Sequence, residues 1–361
     1  MTIPVNIPII GKEEISEVMA VLKNGALTSA ANFGGKNVQE LEREVCNFVK
    51  SKYSVAVNSG TAALQVALYA LDIKSGDEVL LPSFTFVATA NAVVSVGAKP
   101  VFVDIVRDNY TMDPADLKRK ITKKSKAVIP VHLYGNVAYM DEISEIASKH
   151  NLHVIEDAAQ SMGSSYKGKQ TGTFSEIGCF SLYAAKVMTS GEGGVVVTSS
   201  KKLREKLLMI RNHGMVHGYD TRMLGLNFRL PEINAAIGKI QMRKLPRFLL
   251  KRKKNAKILT ELLSGLDMTL PQKRKHEEVN WYLYTVATKS RNRMMRDLNS
   301  GGIGAAVYYS TPVHRTPYYG KKLSLPVTDW AAGSVLSLPV QPMVTEDNLR
   351  LTAKIIRGTL A

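Results

Sequence analysis

Apolar and polar positions alternate along this chain with two periods, and the switching between them organises the sequence. Residues 12–24 set Ile15, Val18, Met19 and Leu22 at i, i+3, i+4 and i+7, with Gly25 as a stop, which predicts an amphipathic helix. Residues 38–50 predict a second one. A short apolar strand is then expected at 54–58, a tight Ser59-Gly60-Thr61 turn, and a helix at 62–71. The same rhythm repeats: strands at 78–81, 100–104, 127–131 and 153–156, separated by helices at 87–96, 114–120 and 139–150. Strands alternating with helices predict βαβ units and a mainly parallel sheet covered on both faces.

After Asp157 the texture changes. Residues 163–178 are rich in Gly, Ser and Thr and read as loops. Residues 178–182 and 194–198 read as short strands forming a hairpin-like pair, and 203–211 as a helix. Residues 232–263 form one long helical stretch, with a break expected at Pro246 and a stop at Ser264-Gly265. The expected organisation is an N-terminal arm (1–11), a large domain (12–240) and a smaller C-terminal domain (241–361). No internal repeat or low-complexity segment interrupts it.

Composition removes alternatives. The 361 residues are 45% apolar and 22% charged, which excludes a disordered, collagen-like or disulfide-scaffold chain. The most apolar stretch, 79–98, is interrupted by Pro82, Ser83, Thr85, Thr89, Asn91, Ser95 and Gly97, so no membrane span is expected. The N-terminus lacks a basic head followed by an apolar run, and Cys46 and Cys179 make no CxxC pair; a cytoplasmic protein without a metal centre is expected. Lys and Arg outnumber Asp and Glu by 48 to 31, a net +17 that favours phosphate-bearing ligands. The basic clusters at 118–126, 201–206, 243–257 and 273–275 are scattered and not interleaved with aromatics, so a nucleic-acid surface is not expected.

In an open parallel sheet, ligands sit at the carboxyl ends of strands, beside helix N-termini. Three segments meet that description. Asn58-Ser59-Gly60-Thr61 joins a strand to a helix N-terminus, which offers free N–H groups to a phosphate; an ordinary helix cap is the other reading. Glu156-Asp157 ends an apolar strand, as a site carboxylate or a capping acid. Lys186 lies in Ser181-Leu182-Tyr183-Ala184-Ala185-Lys186, between an apolar strand and the Gly-rich 190–194 loop, as a desolvated nucleophile or a snorkelling lysine. Together, a phosphate cradle, a carboxylate for a pyridinium nitrogen and a Schiff-base lysine match the needs of pyridoxal 5′-phosphate (PLP).

At this point the chain resembles the DegT/DnrJ/StrS family of sugar aminotransferases. The resemblance runs through SGTAAL (59–64), GDEVLLPSFTFVATANAV (76–93), GAKPVFVD (97–104), PVHLYGN (130–136), VIEDAAQ (154–160), the Lys186 block with SGEGG, RNHG (211–214), NFRLPEINAAIG (227–238) and LSLPVQP (336–342). It implies an α/β fold of the PLP-dependent fold type I (aspartate aminotransferase-like) class, with a large seven-stranded-type sheet and a smaller α/β domain. By the same resemblance Lys186 forms the Schiff base and relays protons, and Asp157 pairs with the pyridine nitrogen. Gln160 lies near the ring hydroxyl and Phe86 packs on the ring. Gly60, Thr61, Ala62 and Ser181 hold the phosphate, and Asn227 reaches it from a neighbouring subunit, which implies a homodimer with shared sites. Arg229 is either a second phosphate partner or a structural ion-pair residue. Tyr308 and His314 fall in a substrate region, where His314 either orients the sugar or is a satisfied interfacial histidine.

The implied activity moves an amino group from L-glutamate to a nucleotide-linked keto-sugar, through pyridoxamine phosphate, in polysaccharide biosynthesis. Two rivals are a sugar dehydratase of the same family, against which Lys186 argues, and a regulatory or binding protein on this fold, which a degraded site would have indicated. Ala185 and Val187 depart from the Pro and Asn common beside the lysine, and Pro231 and Asn234 from the usual Thr or Ser and Gln. These departures leave the cofactor residues intact and bear only on the sugar.

Overall fold

The computed structural model describes residues 2–320 and 322–361. The chain opens with α1 (Lys12–Asn24) and α2 (Lys36–Val49). Then come β1 (Tyr53–Val57), α3 (Gly60–Ala70), β2 (Glu78–Pro82), α4 (Ala88–Ser95), β3 (Lys99–Val103), α5 (Pro114–Lys120), β4 (Ser125–Val128), α6 (Met140–Lys149) and β5 (His153–Asp157). A small hairpin, β6 (Ser165–Tyr166) and β7 (Lys169–Gln170), precedes β8 (Ile177–Ser181), β9 (Gly194–Thr198), α7 (Lys201–Arg211) and α8 (Glu232–Leu263). The remainder holds β10 (Glu277–Glu278), β11 (Tyr284–Ala287), α9 (Arg291–Ser300), α10 (Pro326–Ser334), β12 (Val335–Leu338) and α11 (Glu346–Leu360).

The main sheet has seven strands in the order β1-β9-β8-β5-β4-β2-β3. β9 runs antiparallel to both β1 and β8, and the other neighbouring pairs are parallel. All strands but β9 therefore end on the same edge. Gly194 starts β9 there, opposite Val57 on one side and Ser181 on the other. The hairpin-like pairing expected for 178–182 and 194–198 is present, and its connection carries Lys186.

Local sequence explains the layers. The strands are buried on both faces, as expected of a covered sheet. α3 is almost wholly apolar and rich in Ala, so its backbone lies close over β8 and β9, burying Ala62, Ala63, Leu64, Val66, Ala67 and Leu68. Each fully buried Val or Leu there stabilises the fold by about 1.5–3 kcal/mol. A two-stranded antiparallel sheet of β11 and β12 packs with α9, α11 and the second half of α8 around Leu259, Leu263, Tyr284, Leu298, Leu336 and Ile356.

Two expectations fail. α8 is not broken at Pro246; one helix runs through it. Proline removes one helical hydrogen bond, but α8 packs on α1 and α2 along its first half and on α11 along its second, and that packing outweighs the loss. Residues 163–178 are also not all loop, because β6 and β7 form a hairpin there and β6 pairs with β10. No described helix is long and apolar enough to cross a membrane.

Candidate active site

The site begins where β1 runs into α3. Ser59 caps the helix: its Oγ accepts the Ala62 N–H at 3.0 Å. The N–H groups of Gly60 and Thr61 have no acceptor among the described residues and lie at the positive end of the helix dipole. Gly60 must be glycine because a Cβ there would lie 2.7 Å from Ser181 Cβ and 3.0 Å from its Oγ. Gly194 is equally constrained, since its Cβ would meet the Ser59 carbonyl at 2.2 Å. The result is a cradle of free donors and small hydroxyl residues drawn from three strand ends.

Three strands along the sheet from β1, Asp157 ends β5 and is buried. Its Oδ2 accepts from Thr89 Oγ1 at 2.8 Å and its Oδ1 from the Ala159 N–H at 3.2 Å. Burial pushes its carboxyl above the usual range, partly offset by the Thr89 and Ala159 bonds and by Lys186. Glu156 faces the opposite side of the strand and is fully satisfied. It accepts from His132 Nε2 (3.0 Å), the Gly172 N–H (2.6 Å), the Ser175 N–H (2.8 Å) and Ser175 Oγ (2.9 Å). His132 Nδ1 accepts the Ala138 N–H, so its proton sits on Nε2, and the His132 N–H donates to the Asp157 carbonyl. Glu156 and His132 thus clamp the end of β5 from behind, and Asp157 alone is left for a ligand.

Lys186 projects from the loop between β8 and β9. That loop is pinned by Ser190 N–H and Thr189 Oγ1, both donating to the Leu182 carbonyl, and by Asn234 of α8, whose side chain donates to the Ser190 and Glu192 carbonyls. The Lys186 amine lies 4.8 Å from the Tyr282 ring centroid. Desolvation lowers it to about 8, against the opposing pull of the Asp157 charge. An amine poised near neutrality, beside a buried acid, is suited to nucleophilic attack and proton relay.

Aromatic rings line the space between these groups. Phe86 is 55% exposed, with its ring centroid 6.0 Å from that of Tyr309. Gln160 accepts the Tyr134 N–H through Oε1 and donates to Tyr309 Oη through Nε2 at 3.2 Å. Tyr308 packs edge-on against Tyr309, and burial pushes its hydroxyl up.

The match to a family model decides the identity. The model of the DegT/DnrJ/EryC1/StrS aminotransferase family covers residues 8–357. The chain belongs to that family. It is 40% identical to the UDP-N-acetyl-3-dehydro-alpha-D-glucosamine 3-aminotransferase of Acidithiobacillus ferrooxidans, over 92% of this chain and 91% of that protein. Among solved structures it superposes on Streptomyces venezuelae DesV, in complex with a ketimine intermediate, with a TM-score of 0.93 at 34% identity, covering 99% and 98% of the two chains. It matches a Streptococcus pneumoniae chain solved in a PLP form with a TM-score of 0.93 at 25% identity, covering 100% of both. The fold expected from the resemblance is the fold observed.

Within this DegT/DnrJ/EryC1/StrS chain, Gly60, Thr61, Ser181, Asp157, Gln160, Phe86, Tyr308 and Lys186 gather around one end of the sheet. Other expected site residues sit differently. Ala62 is buried and its N–H is already taken by Ser59, so the cap consumes that donor. Asn227 is exposed; its carbonyl accepts from Asn58 at 3.4 Å and its side chain meets no partner among the described residues. Arg229 is not free, since its Nη1 donates to Asn212 Oδ1 at 2.7 Å, and it meets no acid among the described residues. His314 is 0% exposed, with Nδ1 2.6 Å from Ser83 Oγ, and Ser83 Oγ also accepts the His314 N–H. It stands behind the Phe86 loop rather than in the open site. Thr89, Tyr309, Tyr282 and His132 escaped the sequence reading. Only Thr89 left a signal, a hydroxyl in the first turn of the helix expected at 87–96, just past the end of a strand.

Proposed function

We propose that this chain binds PLP and moves an amino group from L-glutamate to a nucleotide-linked keto-sugar. The observation that carries the reading is the Lys186 amine, lowered to about 8 within reach of the charge of buried Asp157, at the sheet edge that also carries the Gly60 cradle. The close approach of Gly60 to Ser181, which a Cβ would block, and the two free N–H groups beside it fit a phosphate. When bound, PLP supplies a ring that withdraws electrons from the amino donor's Cα.

The residues then divide the work. Gly60, Thr61 and Ser181 hold the phosphate, and Asn227 of a second copy adds a donor. Asp157 holds a proton at the pyridine nitrogen, Gln160 faces the ring hydroxyl and Phe86 covers the ring. Lys186 carries the proton away from the donor's Cα and later returns one to the sugar carbon. The A. ferrooxidans relative, named for a UDP-linked 3-keto sugar, supports a nucleotide-linked ketose as acceptor and an amino sugar as product. An intact lysine supports amination over dehydration, and a complete donor set supports an enzyme over a regulator.

A homodimer is part of the reading. Loops 24–35 and 211–226 are bound together by Asn32, which donates to the Met215 and Val216 carbonyls, and by Asn212, which donates to Ala30. They expose Leu27, Phe33, Val216, Tyr219, Leu224 and Leu226, an apolar surface of the kind a partner covers. Residues 12–240 form the cofactor-holding unit, 241–361 the smaller unit and 1–11 an arm between them. The free thiols Cys46 and Cys179 are consistent with the cytoplasm.

The test is spectroscopic. The visible band of the PLP-loaded protein should vanish on adding L-glutamate, and Lys186→Ala should show no such response. Mass spectrometry of a UDP-linked 3-keto sugar incubated with the glutamate-treated protein should then show an amine in place of the ketone. A band unmoved by any amino donor would sink the proposal.

A further inference from the structure

Between Glu232 and Glu261, α8 carries no acidic residue. Four of its nine cations find carboxylates on other elements: Lys239 meets Glu17 and Glu40, Arg243 meets Glu44, Lys244 meets Glu13 and Glu14, and Lys253 meets Glu278. Lys257 lies 3.9 Å from Glu261, and buried Arg252 donates to the Trp281 and Tyr282 carbonyls and to Asn6. Three remain. Arg247, Lys251 and Lys254 are exposed and meet no acid among the described residues. Their i, i+4, i+7 spacing puts them on one face of the helix.

All three line the same groove, of about 760 Å³, between α8, the N-terminal arm and the segment after β12. The rest of its wall is largely apolar. Phe248 forms part of it, and Leu250 and Met343 stand at it 70% and 64% exposed. Glu13 is the one carboxylate in the lining, and Lys244 already holds it at 2.5 Å. The volume lies in the range of small-molecule sites. Three uncompensated cations repel one another, so an anion bridging them is favoured, and the apolar wall favours a body attached to that anion.

We propose that this groove is a second ligand site, separate from the cofactor site, that binds a phosphate ester with an apolar or aromatic body. A soluble nucleotide and an anionic lipid headgroup both offer that chemistry. The inference stands apart from the amino-transfer reading. Ile9, Phe248 and Pro342 also line the small cavity that reaches Lys186, so a ligand here would lie one layer of side chains from the reactive amine.

The experiment uses the PLP-loaded protein and two probes: UDP, followed by isothermal titration, and phosphatidylcholine vesicles containing phosphatidylglycerol, followed by co-sedimentation. Wild type should bind at least one probe. Lys251→Glu/Lys254→Glu should weaken that binding roughly ten-fold or more, because two attractions become repulsions. Turnover should stay unchanged, since neither residue touches the cofactor site. Lys123→Glu/Lys124→Glu, an equal charge change at exposed positions elsewhere, should leave binding intact. Sensitivity of UDP binding to the first variant identifies a soluble ester, and sensitivity of vesicle binding identifies a lipid headgroup. Binding of neither probe, binding indifferent to Lys251 and Lys254, or equal weakening by both variants would overturn the proposal, the last by assigning the effect to net charge.

Discussion

Lys186 shows how burial changes the chemistry of a side chain. The same side chain in the unfolded chain stays charged until about pH 10.4. In the fold it gives up its proton near 8 because burial penalises the cation. Between those values the unfolded state holds a proton that the folded state lacks, so stability of the cofactor-free protein rises with pH across that window and the contribution is absent below it. The neutral amine is also the form that attacks an aldehyde. Covalent capture of PLP by the cofactor-free protein should therefore accelerate as pH rises through about 8 and level off above it. Absorbance stopped-flow at constant ionic strength reads this directly. Lys186→Arg, whose guanidinium stays charged, should show no capture at any pH in the range. A wild-type profile centred near 10 would mean that burial does not tune the amine.

At the scale of the element, the start of α3 combines two separable functions. Ser59 closes the helix by accepting the Ala62 N–H, while Gly60 leaves room beside Ser181. Ser59→Ala should lower the stability of the cofactor-free protein by about 1 kcal/mol, as lost caps do. Gly60→Ala adds a Cβ 2.7 Å from Ser181 Cβ, and the cradle must shift to accept it. Its main effect should be a fall in PLP affinity of about ten-fold or more, since displaced N–H groups no longer converge on a phosphate. Thermal unfolding without PLP and fluorescence titration with PLP separate the two effects. Equal loss of affinity in both variants would show that capping, not space, shapes the cradle. This turn also shows how much was legible beforehand. The sheet could be read because each strand is an unbroken apolar run between turn residues, and Lys186 because its neighbours are small and apolar. The roles of Ala62 and His314 could not. Which N–H a cap consumes, and whether a histidine turns toward Ser83 or toward a ligand, depend on contacts spanning the chain, from residue 83 to residue 314 in the second case. Thr89 and Tyr309 are common residues until the fold sets them against Asp157 and Gln160. Pro246 misled because its local preference is real but small beside the packing of a helix held along its whole length.

For the whole molecule, the question is whether one chain makes a complete site. Lys186, Asp157 and the Gly60 cradle share one sheet edge, yet Asn227 is exposed, with no partner for its side chain among the described residues. If a second copy receives that side chain, two chains that are each defective can restore one another. Lys186→Ala removes the amine and keeps Asn227. Asn227→Asp keeps the amine and sets a carboxylate against the partner's phosphate. In a mixed dimer, the site holding Lys186 draws its Asn227 from the other chain and is whole, while the second site lacks both. Mixing equal amounts by refolding or co-expression puts half of the chains' pairings in mixed dimers, so activity should return to about a quarter of wild type although each variant alone is nearly inactive. Sedimentation of the mixture should give a dimer throughout. No recovery in a dimeric mixture would mean that Asn227 serves the site of its own chain, and a monomeric protein with full activity would remove the shared site altogether.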